Sequence, residues 1–166
     1  MSERHPRSRA RFLVGVMDSG DNDSLVLELA RLTAERQSGG RESHVIVREL
    51  ITALAEMMHS AAGPAAQDSP NYGLELTDDD NGAISIDDTS PPVRASVRAL
   101  LAQLNGHTDD ALFQVDLALR DDAFQATLEV FTHVLLWTIG MLKWCDANGV
   151  RRPMWLGEPV PARRRD

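Results

Sequence analysis

Residues 123–145 read AFQATLEVFTHVLLWTIGMLKWC, a segment of helical periodicity that is apolar on two faces at once. One stripe runs Phe124, Leu128, Phe131, Leu135 and Leu142. A second runs Val130, Val134, Trp137, Met141 and Trp144. A helix on the outside of a globule needs only one apolar stripe, whereas a helix apolar over most of its girth must be surrounded. The segment is therefore read as the central helix of a domain, or as a helix shared between a core and a partner. Its uncharged run, residues 130–142, falls short of the roughly 20 apolar residues that a membrane span needs, so no membrane partner is expected.

The flanking sequence supplies further helices. Asp121 and Asp122 open the long helix and Asn148-Gly149 closes it. Before it, Thr108 caps a helix carrying Leu112, Val115 and Leu119. Earlier still, Ser90 followed by Pro91 and Pro92 starts a helix with Val93, Val97, Leu100, Leu101 and Leu104, which stops near Gly106. Asp23 or Ser24 caps a helix reaching Gln37 with Leu25, Leu29 and Leu32 on one face. After Gly39-Gly40, a further helix spans residues 41–60 around Val47, Leu50 and Leu54. Residues 74–86 read as a hairpin. A five-residue loop over 78–82 pairs Leu76 with Ile84 and Leu74 with Ile86, so all four share a face.

The expected architecture is mainly α: five helices around the long one at residues 121–147, with a small hairpin at one edge. The short apolar run at 12–17 is ambiguous, and a strand there would move the class toward α+β. Residues 1–11 are expected to be a disordered basic tail, 12–150 a single helical domain, and 151–166 an extended basic tail.

At 166 residues the chain is long enough to bury a core. The stretch 12–150 carries 22 of the 25 acidic residues and only eight of the 17 basic ones, a formal charge near −14 between two arginine-bearing ends. Such a body repels nucleic acid and anionic membrane, and the basic ends alone could touch either weakly. Sixteen arginines against one lysine hint at a GC-rich bacterial genome. Cys145 stands alone, so no intramolecular disulfide forms. The start of the chain lacks an apolar leader, and a cytoplasmic setting is expected.

Four constellations could carry chemistry. The helix–glycine–helix at 98–119 has the spacing of a DNA-reading corner. Its second helix carries Asp109, Asp110 and Asp116 with no cation before Arg120, and phosphate would repel it. Residues 77–88, TDDDNGAISIDD, follow a calcium-loop spacing through Asp79, Asn81 and Asp88. Thr77 stands where a carboxylate belongs, and an acidic hairpin loop is the favoured reading. His133 has Glu129 one turn before it and no second histidine nearby, so a neighbour-satisfied core histidine is favoured over a base or ligand. Cys145 is read as an inert helix-end thiol.

No catalytic residue and no cofactor is expected. The functional reading is a non-enzymatic interaction module that associates with itself, or with another protein, through Val130, His133, Val134, Trp137, Met141 and Trp144. Two alternatives are a small-molecule binder or minor enzyme with a pocket near His133, and a regulator touching nucleic acid through its arginine ends.

Overall fold

The computed structural model describes residues 5–63, 72–77 and 80–157. Among these residues the fold is mainly helical: α1 (Pro6–Asp18), α2 (Asn22–Gln37), α3 (Glu42–Ala62), α4 (Pro91–Leu104), α5 (Thr108–Ala118) and α6 (Phe124–Asn148), with a two-stranded sheet of β1 (Leu76–Thr77) and β2 (Ala83–Ile84). Helix α6 packs on α1, α2, α3 and α4, with its broadest contact on α3. Leu29, Leu32, Ile46, Leu50, Leu54, Met57, Phe131 and Leu135 are buried together between these helices. The long helix is thus central, as its apolar girth implies.

The largest departure from expectation is α1. Residues 6–11 belong to a helix rather than a disordered tail, and 12–17 continue it rather than forming a strand. Pro6 sits in the first turn, where a missing N–H costs nothing, and the His5 ring Nδ1 accepts from the Arg7 backbone N–H at 3.3 Å. Ala10, Leu13 and Val14 then bury one side. Two of the α1 arginines pair within the protein itself. Arg7 pairs with Glu49 at 2.9 Å, and Arg9 pairs with Glu42 at 2.7 Å and Glu28 at 3.3 Å. Arg31 joins the same two carboxylates, so α1, α2 and α3 are tied by one charge network. The Glu28 and Glu42 carboxylates hold Arg31 charged, raising its pKa.

The C-terminal end also departs from an extended tail over its described part. Met154–Leu156 forms a 3₁₀ turn whose Leu156 is buried, and the Arg7 guanidinium lies 5.5 Å above the Trp155 ring. Arg152 reaches Asp146 at 2.8 Å and donates to the Gly157 carbonyl at 2.6 Å. Residues 158–166 of the expected tail lie outside the described residues.

In the hairpin, Leu76 pairs with Ile84 and Thr77 with Ala83, the register of a five-residue loop. The outer pair, Leu74 with Ile86, does not form. Ile86 opens a 3₁₀ turn capped by Ser85, and Arg94 draws in the carbonyls of Ile86, Asp87 and Thr89. Those carbonyls satisfy a guanidinium, and no ladder extends past Ile84.

Several caps shift by a few residues. The Asp21 carboxylate caps α2 by accepting from the Ser24 N–H at 3.1 Å, and the Ser24 side chain, together with that N–H, lowers its pKa. His107 rather than Thr108 precedes α5, and α6 starts at Phe124 because the Asp121 carboxylate takes the Ala123 N–H at 2.9 Å. Ser90 makes no cap bond; its hydroxyl donates instead to the Glu129 carboxylate at 2.7 Å. Gly149, in the left-handed region at φ 64°, ends α6. The α2 end is held to the α5–α6 corner by Arg36, which donates to the Asp121 carbonyl at 2.8 Å.

Candidate functional site: the outward face of the longest helix

At 3.6 residues per turn, the buried residues of α6 fall on one broad arc. Ala126, Thr127, Val130, Phe131, Val134, Leu135, Thr138, Ile139, Leu142 and Cys145 face the other helices. Val130 and Val134 are fully buried among them. This corrects the expectation that both valines belong to the partner-facing row. The core arc is wide enough to absorb that edge of the second stripe.

On the opposite side of the helix, Glu129, Thr132, Leu136, Gly140 and Lys143 follow one another at the spacings of a single seam. Leu136 is 52% exposed. Along one flank lie His133, Trp137, Met141 and Trp144. His133, Trp137 and Met141 are half-buried, whereas Trp144 is 43% exposed. Leu136 and Trp144 thus make an apolar strip about two turns long that faces solvent, while Trp137 and Met141 also pack against the core. Gly140 lies within it. A Cβ built there meets no atom within 4 Å, so no packing among the described residues calls for a glycine.

His133 and Glu129 do not act as a pair. The His133 Nδ1–H donates to the Glu129 backbone carbonyl at 2.7 Å, while the Glu129 carboxylate accepts from Ser90 and from Gln125. The His133 ring also stands edge-on to Trp137, with centroids 6.0 Å apart. Both imidazole and carboxylate are thus held by structural partners. Surface grooves of about 220 to 470 Å³ take in Glu129 and Lys143 at the two ends of the seam, but His133 lines none of these.

The groove of about 470 Å³ runs between α1, α6 and the C-terminal turn. Val14, Leu142 and Leu156 give it an apolar lining; of its three cations, Lys143 pairs with Asp18 and Arg152 with Asp146, both carboxylates of the same lining. Arg152 already serves Asp146 and the Gly157 carbonyl, but its Nε is buried without a partner. Arg11 makes no ion pair among the described residues.

Of the calcium-loop residues, Asp79 lies outside the described residues. Asn81 takes a left-handed turn at φ 60°, and Asp88 ends the 3₁₀ turn after β2. Among the described residues no three His, Cys, Asp or Glu side chains gather as a metal site. Cys145 is buried, and that burial pushes its thiol pKa up, away from the reactive thiolate. Among the described residues no helix is long and apolar enough to cross a membrane. Leu136 and Lys143 were not among the expected site residues. Their seven-residue spacing from Glu129 through Leu136 to Lys143 is the sequence signal for the seam.

No family model, curated protein or solved structure matches this chain.

Proposed function

We propose that this protein is a non-enzymatic interaction module that associates with a second copy of itself through the outward face of α6. The observation that carries the reading is the exposed strip of Leu136, Gly140 and Trp144 on a helix whose opposite side is already the core. Large apolar side chains gathered on one face mark an interaction surface more often than scattered ones do. Phe12, Leu27 and Phe113, each more than 45% exposed, sit on other helices. A glycine inside a helix costs about 1 kcal/mol relative to alanine. Nothing among the described residues offsets that cost at Gly140, whereas a helix from outside can pack closely over it. Trp137 and Trp144 supply the broad side chains that dominate contact energies.

Light scattering across a concentration series tests this. The expected result is a mass that rises from the monomer toward the dimer, with the rise abolished by Leu136→Glu. A wild-type mass that never leaves the monomer value contradicts it.

A second reading rests on the α1–α6 groove, where Arg11 has no ion pair among the described residues and the Arg152 Nε has no partner. Its size falls within the range of about 300–1,000 Å³ of ligand pockets. An apolar lining beside Arg11, the one lining cation not paired to Asp18 or Asp146, suits a small amphipathic anion. Calorimetric titration with a medium-chain fatty acid tests it: saturable heat that Arg11→Ala diminishes supports a site, and absence of heat removes it. Of the arginine ends, Arg7, Arg9 and Arg152 are paired with carboxylates of the same chain, while Arg4 and residues 163–165 lie outside the described residues.

A further inference from the structure

The charges on the outward seam of α6 are arranged symmetrically in sign and distance. Glu129 lies seven residues before Leu136, and Lys143 lies seven residues after it. Seven residues are nearly two helical turns, so all three stand in one row, with each charge about 10 Å along the helix from Leu136. The two charges are opposite. Four residues from Leu136 on either side are Thr132, which is half-buried, and Gly140, which is exposed.

We propose that two copies of the protein cross antiparallel about a twofold axis at Leu136, so that Glu129 of each copy faces Lys143 of the other. This rests on the self-association reading above and adds its direction and register. A twofold interface is self-complementary: whatever residue i meets in the second copy, that residue meets i in return. Antiparallel about Leu136, every charged residue of the row meets its opposite. The parallel arrangement sets Glu129 on Glu129 and Lys143 on Lys143, two like-charge contacts. A crossing displaced by one turn leaves both charges without their counterparts.

The same register explains Gly140. It brings Thr132 and His133 of one copy over Gly140 of the other, and the missing side chain lets the helices approach to the short end of the usual 8–10 Å separation. Trp137 and Trp144 then lie along the flank of the contact. The Glu129 carboxylate is already oriented by the Ser90 hydroxyl at 2.7 Å and retains lone pairs for another cation. Lys143 stands 3.1 Å from Asp18, with the two side chains 69% and 46% exposed. Such a surface pair contributes little, so the ammonium is free to serve Glu129 of the second copy. A single helix pair gives an interface at the small end of the size range, and the dimer is reversible.

Cross-linking and charge exchange test the register. Leu136→Cys places an exposed thiol on the twofold axis, and the native Cys145 is buried. Under mild oxidation this variant forms a covalent dimer, whereas Val26→Cys on the exposed side of α2 does not. Glu129→Lys alone and Lys143→Glu alone each raise the dissociation constant about tenfold, since each dimer contains the contact twice. The double variant Glu129→Lys/Lys143→Glu returns to within about threefold of the parent. If the protein dimerises, yet Leu136→Cys does not cross-link and the double variant stays as weak as the single ones, the register is overturned and the self-association reading stands. If the parent chain is monomeric throughout, both fall.

Discussion

His44 shows how a single side chain sets a pH limit. Burial lowers its pKa below the ordinary 6.5, and the nearby Arg41 and Arg36 cations lower it further, against the opposing pull of Asp116 at 3.8 Å. The folded protein therefore prefers the neutral ring, while the unfolded chain takes up a proton near pH 6.5. Its contribution to stability is complete above pH 6.5 and is lost as the pH falls from there through the lowered folded value. Denaturation midpoints measured between about pH 7.5 and 5.5 should decline for the parent and decline less for His44→Gln. Equal slopes would remove His44 from the account. Val134 and Leu136, two residues apart, make the complementary contrast. Val134 is fully buried and Leu136 is 52% exposed. Val134→Ala should cost about 2 kcal/mol of monomer stability, and Leu136→Ala less than about 0.5 kcal/mol, both read from urea unfolding at low protein concentration.

For elements, legibility depended on whether the information was local. The helices α3, α4 and α6 carry their apolar stripes and stop signals within their own residues, and each was readable from periodicity. Helix α1 was not. Residues 6–11 offer only Ala10 to a core, and what holds the segment in place is a set of carboxylates on α2 and α3, at Glu28, Glu42 and Glu49. Those partners are distant in sequence and invisible to a periodicity argument. The site was legible in half. Periodicity placed Trp137 and Trp144 on one side of α6, but it could not say which edge of so broad an apolar arc its neighbours would cover. Val130 and Val134 went to the core, and the solvent-facing centre moved to Leu136 and Gly140. Gly140→Ala separates the roles of this helix. In the monomer the substitution meets open space and should add about 1 kcal/mol of stability. In the dimer the added methyl fills the close approach, so association should weaken about tenfold or more. A variant that gains in both respects would show that the glycine serves no contact.

For the whole molecule, the first and last described elements, α1 and the turn at Met154–Leu156, meet on one side of the bundle. Arg7 covers Trp155, Leu156 is buried, and Arg9 and Arg31 share Glu28 and Glu42. Glu42 is the joint of that network, with a side chain only 22% exposed. Glu42→Ala should cost about 1 kcal/mol, and the loss should shrink as salt is raised from about 0.05 to 0.5 M. A salt-independent loss would assign the effect to packing. Helix α6 turns Leu136 and Trp144 outward while its other side packs in the bundle.

The mass of the protein in solution decides whether that face is used. Light scattering on the 18.3 kDa chain, run over a concentration series beside Leu136→Glu, should show the parent rising toward twice its monomer mass while the variant remains monomeric. A parent that stays at 18.3 kDa at every concentration, or a Leu136→Glu variant that dimerises as well as the parent, would contradict the assignment of α6 as the interface.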